Sequence, residues 1–172
     1  ARLVSRAPAS GDTLGTSVAI SMGALVALVG APAANPGGLG NAGAVSVFSR
    51  SGTTWIEEAT LVPAGVAASD RFGTAVALSA DGALALVGMP FERVPVYIAA
   101  GSARVFSRSG TTWVEEAALR AGDVFAGNDQ IGEAVALTPD ASRAFVGAPH
   151  HDLPPGSRVD AGSVRVYLRS GT

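Results

Sequence analysis

The stretch RSGTTWIEEATL, Arg50 to Leu61, returns as RSGTTWVEEAAL at Arg108 to Leu119, and RSGT occurs a third time at Arg169 to Thr172. A phrase of that length, repeated at fixed spacing, restricts the architecture more than any single residue can. Arg50 and Arg108 lie 58 residues apart, and Arg108 and Arg169 lie 61 apart. Asp12, Asp70 and Asp129 step by 58 and 59, as do Gly30, Gly88 and Gly147. Most of the longer third period falls in one place. Pro149 to Gly162 spans 13 positions, where Pro32 to Gly43 and Pro90 to Gly101 each span 11. The remainder lies between Leu119 and Asp129. Length changes confined to such stretches mark them as loops on a fixed framework. The chain is three copies of one unit.

Each unit resolves into four predicted strands. SVAIS (Ser17 to Ser21) is matched by AVALS at Ala75 and AVALT at Ala134, and each is followed by a tight turn: MG, ADG or PDAS. The second strand, ALVALVG from Ala24 to Gly30, is apolar on both faces, as expected of a strand packed between two sheets. After the connection comes AVSVFSR (Ala44 to Arg50), then a turn into TWIEEATL. The Glu57-Glu58 and Glu115-Glu116 pairs read as a partly solvated outer edge, where charge discourages stray strand pairing. Sustained apolar spacing of helical period is absent. From Thr13 to Ser49 there is no charge, but glycine and proline break this run, so it reads as strands and no membrane span is expected.

Composition agrees. Of 172 residues, 48% are hydrophobic and 15% charged, with 22 glycines and 10 prolines, which suits a packed core of short strands joined by many turns. The net charge of −2 leaves no footprint for nucleic acid. With no cysteine, disulfides and thiolate metal sites are ruled out, and no signal peptide is read at the start of the chain.

Four-stranded units that cannot bury their own two faces point to an all-β fold, a β-propeller of three four-stranded antiparallel blades. The repeats run over about 10–68, 69–127 and 128–172, with 1–9 as the tail of a preceding outer strand. Ala19, Ala77 and Ala136 suit the crowded axis. Leu14-Gly15, Phe72-Gly73 and Ile131-Gly132 each pair a large apolar plug with a glycine that permits close backbone approach. Three blades are few for a closed ring, since propellers typically have roughly four to eight. The segment is therefore expected to belong to a longer array, or to pair with a second copy.

Phe72-Gly73 with Gly88-Met89-Pro90, and Gly30-Ala31-Pro32 and Gly147-Ala148-Pro149 elsewhere, resemble the FG-GAP repeat. The order GD-x-LG, SVAIS, LVGAP, VFSRSGTTW is similar to bacterial FG-GAP repeats of secreted and surface proteins. The resemblance implies an integrin-like, seven-bladed propeller, a place outside the cell or on its surface, and a role in adhesion. It departs in FG, which reads LG and IG in copies one and three, and in GAP, which reads GMP in copy two. It departs again in metal. The family's calcium loop is of D-x-D-x-D-G type, and calcium needs six to eight oxygen ligands. The turns here offer at most one carboxylate, Asp81 or Asp140. No calcium, and no other cofactor, is expected.

Other motifs carry little chemistry. Gly38-Leu39-Gly40-Asn41-Ala42-Gly43 matches G-x-G-x-x-G, but a strand follows where a dinucleotide site needs a helix. His150, His151 and Asp152, with Asp160 in the same loop, could hold a metal, although a solvated loop accounts for them too. Asp12, Asp70 and Asp129 read as turn formers.

The variable element is the connection after strand two: AANPGGLGNAG, then FERVPVYIAAG, then HHDLPPGSRVDAG. Such loops share one propeller face, and loops on a rigid scaffold vary without disturbing packing. Phe91, Arg93 and Tyr97 in copy two, with His150, His151, Asp152 and Arg158 in copy three, form the candidate ligand site. Aromatics and arginine are typical of contact surfaces. The expected function is non-enzymatic binding of a protein or glycan at this face. The alternatives are a purely structural propeller within a larger assembly and a hydrolase using His150 and Asp152.

Overall fold

The computed structural model describes residues 1–93, 100–121, 128–152 and 160–169. The first unit contributes β1 (Ser17–Ile20), β2 (Val26–Ala31), β3 (Ala44–Ser51) and β4 (Thr54–Leu61). The second contributes β5 (Val76–Leu78), β6 (Leu84–Met89), β7 (Ser102–Ser109) and β8 (Thr112–Leu119). The third contributes β9 (Ala134–Leu137), β10 (Arg143–Ala148) and β11 (Ser163–Leu168). Each unit is one antiparallel sheet in chain order: β1-β2-β3-β4, β5-β6-β7-β8 and β9-β10-β11. The fold is all-β and propeller-like. The third sheet differs from the expected four strands: among the described residues it has three.

Successive sheets pack face to face, with β1 beside β5 and β5 beside β9 as the inner strands. The uncharged run thus folds as three strands, and among the described residues no helix is long and apolar enough to cross a membrane. Every residue of β2 and β6 is buried, because each strand is covered on both sides. Between the first two sheets the core holds Val26, Leu28, Val45, Val47, Phe72, Val87 and Phe106, with the rings of Phe72 and Phe106 5.9 Å apart and tilted by 60°. Between the second and third it holds Leu86, Ala103, Ile131 and Val146. Residues 1–9 make no strand; Leu3 packs on Ala27, Val29 and Phe48 of the first sheet.

The glycines of the repeat explain the tight spacing. A Cβ on Gly30 would come 2.1 Å from the Gly73 carbonyl oxygen, and one on Gly88 would come 1.9 Å from that of Gly132. The glycine near the end of one sheet's second strand therefore faces the glycine that follows the plug of the next sheet. Neither position tolerates a side chain while the sheets stay this close.

Hydrogen bonds repeat with the same period. Ser21 Oγ, Ser79 Oγ and Thr138 Oγ1 accept the N–H groups of Val26, Leu84 and Arg143, closing each first turn. Met22 N–H donates to the Ala80 carbonyl (2.8 Å), and Ala80 N–H to that of Pro139 (2.9 Å), tying turn to turn. The glutamate pairs do more than face solvent. Glu57, only 6% exposed, accepts the Arg6 N–H, and its counterpart Glu115 accepts the Ala64 N–H. Glu58 reaches the other way, accepting from Arg108 Nε (2.8 Å) and Trp113 Nε1 (3.3 Å) of the next sheet. The Arg108 hydrogen bond holds the Glu58 carboxyl below its ordinary range. Glu116 and Arg169 repeat the pair at 3.8 Å. The outer strands are the partly exposed charged edges expected, and their glutamates also staple neighbouring sheets together.

Candidate functional site

The connection after β2, and the described ends of those after β6 and β10, leave their sheets on one side. Gly43 forms a parallel bridge to Phe72, and Gly101 one to Ile131. Ser69, Arg71 and Phe72 donate their N–H groups to the carbonyls of Gly40, Asn41 and Ala42. The loop of one sheet is thus bonded to the segment that leads into the next, and together they make one surface. Asp12 and Asp70 shape those segments as turn formers, accepting the N–H of Ala9 (2.8 Å) and Ala67 (2.7 Å).

Of the expected site residues, Phe91 is half-buried with the Arg71 guanidinium 4.8 Å above its ring, a cation–π contact. Arg93 is exposed. Tyr97 and Arg158 lie outside the described residues. His150 is partly exposed, with Nδ1 3.3 Å from Asp160 Oδ1, and Asp152 accepts the Asp160 N–H at 2.8 Å. His151 is 4% exposed and turns inward, its Nδ1 3.1 Å from Asp129 Oδ2. The adjacent histidines therefore diverge, one to the surface and one to the interior. Among the described residues no three metal-ligating side chains converge.

Beneath the surface lies a polar cluster that sequence reasoning missed. Arg104, on β7, donates to Glu92 Oε1 (2.6 Å) and to Glu115 Oε1 (2.7 Å), and Arg120 also reaches Glu92. Burial pushes the Asp70 carboxyl up, and the nearby charge of Glu92 adds to the rise. In the third unit the same positions hold His151 and Arg165, with Arg165 Nη2 3.5 Å from His151 Nε2. A signal for it existed: Glu92 and His151 each follow the G-x-P tripeptide by two positions, and Arg104 and Arg165 share one place in the third strand.

Stacked antiparallel sheets, each built from one copy of the repeat, define a β-propeller-type repeat protein. The chain belongs to the FG-GAP repeat family, whose model matches residues 1–48 and 55–106. Among solved structures it is similar to Sqt1 of Saccharomyces cerevisiae, with a TM-score of 0.56 at 11% identity, covering 94% of this chain and 33% of that one. This likeness concerns the fold, and the chain spans a third of Sqt1's length. The tricorn protease matches with a TM-score of 0.44 at 10% identity over 83% of this chain and 12% of its own. No curated protein matches the chain.

Proposed function

We propose that this chain is a non-enzymatic interaction module that binds a protein or glycan through its loop face, outside the cell or on its surface, in an adhesive role. The observation that carries this reading is the contrast between a repeated framework and unlike loops. The staples, turns and glycine contacts recur with the period, whereas the three loops differ in sequence and the third also in length. Variation restricted to one face of a rigid scaffold is what selective recognition needs. Because the loops differ, a single asymmetric protein ligand fits better than one repeated glycan. Phe91 with the Arg71 guanidinium over its ring, and the exposed Arg93 two residues on, supply an aromatic and arginine composition favoured at contact surfaces. The buried His151 and Arg104 are engaged in pairs between loop and strand, which supports a structural role for them over acid–base work.

The test is a substitution of Phe91, Arg93 and Tyr97 together to alanine. Far-UV circular dichroism should stay that of the native β fold. Binding to a panel of surface proteins and glycans, read by biolayer interferometry, should fall to background for whichever member the native chain holds. Loss of the β signal would assign these residues to the core, and unchanged binding would move the site elsewhere.

A further inference from the structure

The positions that hold Glu92 and Arg104 in the second unit, and His151 and Arg165 in the third, hold Ala34 and Ser46 in the first. Two small residues replace a buried pair. Where they stand, a cavity of about 400 Å³ opens, lined among others by Asp12, Ala34, Ser46 and Thr60. The acidic side of the pair is nevertheless retained. Glu57 occupies the place of Glu115, whose Oε1 grips Arg104 at 2.7 Å. Glu57 is the more deeply buried of the two; its Oε2 accepts the Arg6 N–H, while its Oε1 takes only a long bond of 3.5 Å from Thr60 Oγ1, and Thr60 lines the cavity. A buried carboxylate oxygen held by one long bond is poorly satisfied, and a guanidinium N–H gives it a strong charge-assisted hydrogen bond, as Arg104 Nη1 gives Glu115. Asp12 adds a second carboxylate to the wall, and Ser46 a buried hydroxyl.

We propose that the first unit's cavity binds an alkylguanidinium group supplied from another molecule, lying where Arg104 lies in the second unit and held by Glu57 and Asp12. The cavity opens on the same face, between the loop residues Ala34 to Pro36 and the segment Asp12 to Leu14, but it does not rest on the Phe91 site. The shared chemistry is the guanidinium on an aliphatic stem, whether carried by a small molecule or by an arginine side chain of a peptide.

Calorimetric titration tests it with agmatine, with the peptide Gly-Arg-Gly and with 1,4-diaminobutane, which has the stem and both charges of agmatine but an ammonium in place of the fork. Agmatine should bind at one site, and 1,4-diaminobutane should bind roughly tenfold more weakly or not at all. Binding of the peptide as well as agmatine points to peptidyl arginine as a source; binding of agmatine alone points to a small guanidine. Ser46→Arg should refill the cavity as the other two units do, abolish agmatine binding and raise the melting temperature. Glu57→Gln should weaken binding while the β spectrum is kept. Should Ser46→Arg fail to fold, Ser46→Met blocks the same space without charge. No agmatine binding, equal affinity for 1,4-diaminobutane, or binding undiminished by filling the cavity would each overturn the proposal.

Discussion

Asp81 and Asp140 show how one side chain settles a turn. Asp81 Oδ1 accepts the hydroxyl of Ser79 (2.6 Å) and the N–H of Ala83 (2.9 Å). Asp140 Oδ1 does the same with Thr138 (2.6 Å) and the N–H of Ser142 (3.0 Å). These bonds favour the charged form, so the Thr138 hydroxyl, before the backbone bond, draws the Asp140 carboxyl down from 3.8 to about 2. A carboxyl whose folded value is depressed contributes stability above its unfolded value and loses it as pH falls through the folded one. The contribution of Asp140 is therefore complete above 3.8 and fades towards about 2. Asp140→Asn should lower the melting temperature near neutral pH and flatten its fall across that acid window. A native-like acid slope in the variant would show that Asp140 is not the group titrating.

Strand and turn positions are legible because the chain states them three times. Ser17 to Ser21 reads as a strand and β1 covers Ser17–Ile20; TWIEEATL reads as a strand and is β4. The partners of the glutamates are not legible from their own stretch, since a sequence does not say which neighbouring sheet meets an outer strand. Arg50, Arg108 and Arg169 share the period of Glu58 and Glu116, and that coincidence is the available clue. His151 likewise stands next to His150 in the chain but opposite to it in space, a separation set by the tertiary fold. The glycine contacts belong to this scale as well. Gly88→Ala would drive a methyl group into the backbone of Gly132, whose carbonyl oxygen would stand 1.9 Å from the new Cβ. Backbone on both sides cannot yield as a side chain would, so the cost should be about 3 kcal/mol. Gly40→Ala, with nothing within 4 Å, should change stability by about 0.5 kcal/mol or less. Urea midpoints of the two variants measure this; equal midpoints would show that the sheets can part at no cost.

At the scale of the molecule, the two outermost sheets carry faces that the middle of the stack hides. Val18 is 67% exposed, whereas Val76, at the same place in the second unit, is buried against the first sheet. Val164 and Val166 are exposed, whereas their counterparts Val45 and Val47 are fully buried against the second. Beside β11, an edge strand among the described residues, lies a second cavity of about 420 Å³, lined among others by Leu84, Leu137, Ala144 and Tyr167. Their equivalents Val26, Leu78, Ala85 and Phe106 form the core on which Trp113 packs between the first two sheets. Both ends thus present the surfaces by which one unit of this repeat receives another. Repeat arrays whose end faces stay apolar and uncapped associate. The 172-residue chain alone should therefore run in size-exclusion chromatography with light scattering above its monomer mass of 17.1 kDa, increasingly so with concentration. Placing charge on both faces, with Val18→Glu and Val166→Glu, should shift the population towards the monomer while leaving the β spectrum unchanged. A native chain that stays monomeric at every concentration would mean that these faces are content in water, and the case for further units around the axis would fail.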